Sequence, residues 1–200
     1  MQLAFGGSSV DGGVYTWVTH LAQHSPGWFD SAVSFFSTYG LALFAALLLA
    51  AWWRARAAGP AQTAIALAAP LVVVVAFLAD DAFKSVVREQ RPCQTLHTVT
   101  IEACPSLGDW SFPSNHAAIA GAVAVAVFFA DRRLAAFAGA AAVLMALSRV
   151  WVGVHYPHDA LTGLVVGAAV AWPLMVAARR GAPLVERLAD TRLRPLVTAR

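Results

Sequence analysis

Two histidines and an aspartate stand in polar segments that interrupt an otherwise apolar sequence. His155 precedes Asp159 by four residues, and His116 ends the segment Phe112–His116. A carboxylate that accepts a hydrogen bond from one imidazole nitrogen leaves the other nitrogen free to attack an electrophile. We therefore expect His155 and Asp159 to form a nucleophilic pair, with His116 as a second histidine that can transfer a proton.

Cationic side chains accompany these histidines. Lys84, Arg88 and Arg91 are spaced so that they share one face if their helix continues through them. Asp80 and Asp81 lie one turn before Lys84, where they could pair with the ammonium group. Arg149 begins the segment that carries the nucleophilic pair. Guanidinium and ammonium groups in this number are typical of a phosphate-binding pocket.

The segment before His116 adds a second anion-binding feature. Ser114 or Asn115 is a candidate N-cap of the helix that follows, and a helix N-terminus offers free backbone N–H groups to an anion. Together these groups describe a pocket for a phosphoryl group, with a nucleophile and an acid. No carboxylate cluster in the sequence suggests a metal site, so we expect neither a metal nor another cofactor.

The composition of the chain indicates a membrane protein. Its 200 residues are 59% hydrophobic and 12% charged, whereas a soluble domain is about 45–50% apolar and about 25% charged. The net charge of +3 does not indicate a nucleic-acid partner, because most basic residues lie between apolar runs, as topology signals do. We expect one domain of all-α class, a polytopic bundle of helices in the bilayer.

Five apolar stretches are candidate membrane spans, since a span needs about 20 mostly apolar residues. The predicted spans are 28–53, 60–79, 116–130, 134–151 and 159–178. The stretch 14–24 is short and polar, which predicts an interfacial helix; a sixth span is the alternative. Residues 80–115 are then a loop that carries motifs, and residues 181–200 form a tail.

The basic residues predict the orientation of these spans. Ten of the 14 Lys and Arg residues fall on one side of a five-span arrangement, which makes that side and the C-terminal tail cytoplasmic. The other four are Lys84, Arg88, Arg91 and Arg149, and all four fall on the outer side of the cell membrane. The three polar segments therefore meet at the outer face.

These segments resemble the three signature motifs of the type 2 phosphatidic acid phosphatase superfamily, K-x6-R-P, P-S-G-H and S-R-x5-H-x3-D. The matching residues are Lys84, Arg91 and Pro92, then Pro113, Ser114 and His116, then Ser148, Arg149, His155 and Asp159. Asn115 stands where the family has glycine, and its side chain could narrow the pocket or add a hydrogen bond. The motifs cover about residues 84–159, and the helical pattern extends the likeness over most of the chain.

The resemblance implies a role for each matching residue. His155 would attack phosphorus and become phosphohistidine, Asp159 would orient it, and His116 would protonate the leaving oxygen. The phosphate oxygens would be held by Lys84, Arg91, Ser114 and Arg149, together with backbone N–H groups near Asn115. Three further candidates are Ser148, Arg88, which lies outside the family pattern, and His158, which fits no required position.

Cys93 and Cys104 both fall in the predicted outer loop. Because the outer face is oxidising, we expect a disulfide between them. The alternative is two free thiols.

The lipid substrate is less constrained than the chemistry. The short chain, the five spans and the pattern around residues 30–44 resemble bacterial undecaprenyl pyrophosphate phosphatases, which implies turnover of a cell-wall carrier lipid. Phosphatidic acid or phosphatidylglycerophosphate phosphatase is the alternative enzyme. A lipid-phosphate binding or transport protein without turnover is the alternative from another class. The sequence leaves the oligomeric state open.

Overall fold

Helices account for most of the chain in the computed structural model, which describes residues 5–199. In chain order they are α1 Ser8–Gln23, α2 Gly27–Tyr39, α3 Leu41–Ala55, α4 Pro60–Val87, α5 Pro92–Thr95, α6 Asn115–Ala130, α7 Arg132–Trp151, α8 Pro157–Ala178, α9 Ala182–Ala189 and α10 Arg194–Val197. A 3₁₀ turn, Arg179–Gly181, joins α8 to α9. Two-residue strands β1 (Phe5–Gly6) and β2 (Glu89–Gln90) pair in parallel.

Three helical segments of the described chain are long and apolar enough to cross a membrane: α4, α7 and the continuous run Pro157–Ala189. The bent pair α2–α3 makes a fourth if it counts as one span. Helix α6 has 16 residues and rises only about 24 Å, less than the roughly 30 Å of a bilayer core. The all-α class is confirmed, and the count of five spans stays a prediction.

The predicted span 28–53 is wrong as a single helix. The chain breaks at Gly40, where α2 and α3 meet at an angle of 56°. A Cβ on Gly40 would lie 2.3 Å from the Phe36 carbonyl oxygen and 2.7 Å from the Met145 methyl carbon. The absence of a side chain therefore lets α7 approach the bend closely. A hydropathy pattern alone does not reveal such a break.

Helix α4 is longer than the predicted span 60–79, because it continues past Asp80 to Val87. It ends at Arg88, whose φ of 54° is left-handed. Arg91 then lies in extended backbone with φ −69° and ψ 147°. The prediction that Lys84, Arg88 and Arg91 share one helical face is therefore wrong, and the loop begins at residue 88 instead of residue 80.

Both ends of the described chain contain more helix than predicted. Helix α1 begins six residues before the predicted stretch 14–24; its place at the membrane interface stays a prediction. The tail 181–200, in which no helix was predicted, contains α9 and α10. Val185 and Val197 of these helices are buried in one cluster with Ala64, so the tail covers the end of α4.

The predicted disulfide between Cys93 and Cys104 is present, with the two Cα atoms 5.9 Å apart. It closes the first part of the loop between α5 and α6 against the short helix α5, which contains Cys93. Thr98 in the closed loop is hydrogen-bonded to the buried hydroxyl of Tyr15, 2.7 Å away. The Tyr15 hydroxyl also donates to the Gly153 carbonyl at 2.8 Å. Helix α1 therefore supports both the loop and the α7–α8 turn.

Helix α6 forms the centre of the bundle and packs against α3, α4, α7 and α8. Many of its inward side chains are methyl groups, among them Ala118 and Ala122. The contact with α8 is close enough that a Cβ on Gly167 would lie 1.9 Å from the Ala118 carbonyl oxygen, and one on Gly163 would lie 2.4 Å from that of Ser114. Small residues thus let the two backbones touch.

We expect Gly167→Ala to destabilise the protein by about 1–3 kcal/mol, because the added methyl group collides with backbone that has no rotamer to change. Gly139→Ala is the matched control, since a Cβ there meets nothing within 4 Å and alanine favours a helix. Thermal unfolding of the detergent-solubilised variants measures the difference. Equal Tm values for the two variants would contradict the close packing of α6 on α8.

Candidate active site

His155 lies in the turn between α7 and α8, with its side chain 2% exposed. Its Nδ1 is 3.3 Å from Oδ2 of Asp159, and its Nε2 is 3.1 Å from Nη1 of Arg91. A guanidinium group can only donate, so Nε2 accepts and carries no proton. The proton of the neutral ring is then on Nδ1, where it is donated to Asp159. Nε2 is then the ring nitrogen with a lone pair, which accepts the Arg91 N–H in this structure.

The surroundings of His155 keep its ring neutral. Burial lowers the pKa of His155 well below its ordinary value of 6.5, and the positive charges of Arg91, Arg149 and Lys84 lower it further. Desolvation and like charges both disfavour the imidazolium form. A neutral imidazole is the nucleophilic form, so the site maintains the reactive state of His155 near neutral pH.

Asp159, in the first turn of α8, is fully buried. Its Oδ2 accepts hydrogen bonds from the Tyr156 backbone N–H at 2.8 Å and from the Ser111 hydroxyl. Its position at a helix N-terminus also favours negative charge. The Asp159 carbonyl accepts the N–H of Ser114 at 3.1 Å. The start of α8 is therefore tied to the start of α6, which places two sequence motifs side by side.

Buried polar atoms without partners among the described residues lie at the N-terminus of α6 and on α7. Ser114 is the N-cap residue, as predicted, but its hydroxyl makes no capping bond. Ser114 Oγ and Arg149 Nε both lack a hydrogen-bond partner among the described residues. Buried polar groups are almost always satisfied. Two unmatched groups that can donate, close to free helix N–H groups, suit an anion with several acceptor oxygens.

Acidic residues of the loop between α5 and α6 orient both site arginines. Asp109 Oδ1 is 2.9 Å from Arg91 Nη2, and its carbonyl accepts from Arg91 Nε at 3.0 Å. Arg149 Nη1 donates to Ser37 of α2 and lies 3.3 Å from Glu102 Oε2. Both guanidinium groups are nearly fully buried. These carboxylates fix the arginines in place and neutralise part of their charge.

Lys84 and His116 complete the set of predicted groups around His155. Lys84 is 7% exposed, and both residues are close enough for their charges to lower the pKa of His155. The predicted pairing of Asp80 with Lys84 is wrong as a hydrogen-bonded contact. Asp80 is fully buried, but neither of its oxygens has a hydrogen-bond partner among the described residues.

Two of the additional candidates make other contacts. Arg88 is exposed and donates to the Ser85 carbonyl at 2.9 Å. The Ser148 hydroxyl donates to the Met145 carbonyl at 2.7 Å within α7, and Ser148 lines an apolar groove between α2 and α7. The hydrogen bonds described above for His155 and Asp159 involve Arg91, Ser111 and Tyr156.

His158 stands in a carboxylate cluster, so the expectation of no such cluster is wrong. Ligand atoms of Glu89, His158 and Asp159 lie within 4.8 Å of one another, close enough to hold a metal ion. Asp11 Oδ1 lies 2.7 Å from the other ring nitrogen of His158. Both nitrogens thus face carboxylate oxygens, which only accept hydrogen bonds. That geometry favours a proton on each nitrogen over metal ligation.

Comparisons with known proteins identify the fold and the family. A curated relative, undecaprenyl-diphosphatase BcrC of Bacillus subtilis (strain 168), is 30% identical over 76% of this chain and 77% of its own. Decaprenylphosphoryl-5-phosphoribose phosphatase of Mycolicibacterium smegmatis is 34% identical over 73% of this chain and 67% of its own.

A solved structure, the transmembrane PAP2 type phosphatidylglycerolphosphate phosphatase from Bacillus subtilis, has the same fold. It aligns with a TM-score of 0.55 at 20% identity and covers 90% of this chain and 88% of its own. The model of the PAP2 superfamily matches residues 64–181, which include every predicted motif. The chain is therefore a multi-pass membrane protein that belongs to the PAP2 superfamily of phosphatases.

Proposed function

We propose that this phosphatase removes phosphate from a lipid phosphate or pyrophosphate through a phosphohistidine formed on His155, without a metal ion. The observation that carries the proposal is the state of the His155 ring. Its Nδ1 faces Asp159 and its Nε2 faces a guanidinium, so an unprotonated nitrogen points toward a group that binds phosphate. A binding protein without turnover has no need of an oriented nucleophile.

The proposed reaction has two steps. Nε2 of His155 attacks phosphorus, the bond from phosphorus to the leaving oxygen breaks, and His116 gives that oxygen a proton. A water molecule, deprotonated by His116, then attacks the phosphohistidine, and the P–N bond breaks to release inorganic phosphate. Asp159 offsets the positive charge that the ring gains while it carries the phosphoryl group.

The cations perform the work of charge stabilisation. Lys84, Arg91 and Arg149 would hold the equatorial oxygens of the phosphoryl group, and the Ser114 hydroxyl and the N-terminus of α6 would add hydrogen bonds. Preorganised donors of this kind stabilise charge in a water-poor site, where electrostatic interactions are strong. Phosphoryl transfer depends mainly on such positioning and stabilisation.

For the substrate we propose undecaprenyl pyrophosphate, hydrolysed to undecaprenyl phosphate at the outer face of the cell membrane, in recycling of the cell-wall carrier lipid. The support is the 30% identity to an undecaprenyl-diphosphatase over 76% of this chain. The outer placement is supported by the arginines between the apolar stretches. A phospholipid monophosphate is the second candidate, because the solved structure of similar fold is a phosphatidylglycerolphosphate phosphatase.

The purified protein is expected to release phosphate from undecaprenyl pyrophosphate in detergent with a chelator present, and to do so faster than from phosphatidic acid or phosphatidylglycerophosphate. His155→Ala should reduce the rate to background, because the nucleophile is lost. His116→Ala should lose about 10²–10⁴-fold in kcat, the usual contribution of a general acid. His24→Ala, an exposed histidine outside the site, should leave the rate unchanged.

Each outcome of this assay has a distinct meaning. Phosphate release by His155→Ala would contradict the nucleophile, and strict dependence on added metal would contradict the metal-independent mechanism. Binding of lipid phosphate without any release would favour the non-catalytic binding protein. Faster turnover of a phospholipid monophosphate would replace the proposed substrate and leave the chemistry intact.

The tautomer of His155 is a second expectation. Since its pKa lies well below 6.5, the ring should remain neutral at pH 6.5 with its proton on Nδ1. ¹H–¹⁵N NMR of histidine-labelled protein in detergent measures this state, and the spectrum of His155→Gln assigns the signal. A doubly protonated ring at pH 6.5, or a proton on Nε2 in the free protein, would contradict the proposed resting state.

A further inference from the structure

His158 connects the N-terminal segment to the catalytic aspartate. Asp11 in α1 accepts the His158 backbone N–H at 2.7 Å with Oδ2, and its Oδ1 lies 2.7 Å from the ring Nδ1. On the opposite side of the ring, Nε2 is 3.0 Å from Glu89 Oε1 and 3.4 Å from Asp159 Oδ1. One imidazole ring therefore faces carboxylates from α1, β2 and its own helix.

These contacts favour a positive charge on the ring. Carboxylate oxygens can only accept, so a hydrogen bond on each side needs a proton on each nitrogen. Glu89 and Asp159 are 2% and 0% exposed. Two buried carboxylates within reach of one another are unfavourable unless a cation lies between them. Among the described residues, His158 is the cation that contacts both.

Several elements pack closely around the cluster of Glu89, His158 and Asp159. A Cβ on Gly7 would lie 2.0 Å from Glu89 Oε1 and 2.7 Å from His158 Cε1. Strand β1, which ends beside Gly7, pairs in parallel with β2, which contains Glu89. The His158 ring stacks on Tyr156, with the centroids 5.4 Å apart and the planes at 17°. The ring is therefore held by contacts with α1, with β2 and with the neighbouring Tyr156.

We infer that His158 is a positioning residue for the phosphatase reaction: its imidazolium charge offsets Glu89, so that Asp159 remains an ionised acceptor for the Nδ1–H of His155. The N-terminal segment takes part through Asp11, which holds the ring. This inference rests on the proposed role of His155 as the nucleophile.

The expected consequence is on kcat and not on substrate binding. The His155 ring becomes cationic when it carries the phosphoryl group, and an ionised Asp159 stabilises that charge. Without the His158 cation, Glu89 disfavours a second negative charge on Asp159, and the phosphohistidine loses its counter-charge. The groups proposed to hold the phosphate oxygens are untouched, so KM should change little.

The test compares His158→Gln with wild type as full-length protein purified in detergent, with the lipid phosphate that wild type hydrolyses fastest. We expect kcat to fall about tenfold or more, with KM within about twofold of wild type. The loss of an interaction worth one pKa unit, about 1.4 kcal/mol, corresponds to a factor of ten in rate. His24→Gln is the control, because that exposed histidine lies outside the cluster. An unchanged kcat in folded His158→Gln would overturn the inference.

The double variant Glu89→Gln with His158→Gln separates a charge effect from a merely structural one. With Glu89 neutral, no cation is needed beside Asp159, so the double variant should recover at least about a third of the lost kcat on a logarithmic scale. Additive or greater losses would overturn the inference. If His158→Gln alone does not fold, the double variant carries the test. A folded double variant with activity within about tenfold of wild type supports the inference. A folded but inactive double variant overturns it.

Failure of this inference is distinguishable from failure of the proposed function. If wild type releases no phosphate from any lipid, or His155→Ala is active, the proposed function has failed. If wild type is active, His155→Ala is inactive and His158→Gln is as active as wild type, only the role of His158 has failed.

Discussion

Asp159 places a fully buried carboxylate in the first turn of α8. A fully buried charge needs hydrogen bonds and a counter-charge to be tolerated. The protein supplies them from distant parts of the chain, since Ser111 belongs to the loop between α5 and α6 and Tyr156 to the α7–α8 turn. His158 adds a cation that Asp11 of α1 holds. The environment that tolerates this carboxylate also orients the ring of His155.

The packing of α6 on α8 joins the surroundings of Asp159 to the N-terminus of α6. Because Gly163 and Gly167 permit backbone contact, the N-terminus of α6 lies directly beside the first turn of α8. The Ser114 N–H bonds to the Asp159 carbonyl, which leaves the Ser114 side chain and the following N–H groups free to face an anion. The packing of α6 against α8 therefore also positions the polar groups at the N-terminus of α6.

The sequence was sufficient for the motif residues and insufficient for the groups that hold them. His155, Asp159 and Arg91 belong to motifs with recognisable spacing. In the structure the His155 ring lies 3.1 Å from Arg91 and 3.3 Å from Asp159. Asp109 and Glu102 lie in a loop without periodic pattern, where only three-dimensional contact reveals a partner. Helical spacing and hydropathy do not register a single change of backbone direction. For this reason the sequence did not predict the left-handed backbone at Arg88 or the bend at Gly40.

The central claim is that His155 carries the phosphoryl group during turnover. The most direct measurement is rapid quenching of the enzyme during turnover of a lipid substrate labelled in the terminal phosphate, into alkali that preserves phosphohistidine, followed by mass spectrometry of the peptides. In wild-type enzyme, the peptide that contains His155 should carry a phosphoryl group. In Asp159→Asn, this phosphopeptide should be absent or should form far more slowly. A phosphoryl group on another residue would contradict the role of His155. Turnover without any phosphoenzyme, under conditions that make phosphate release rate-limiting, would also contradict it.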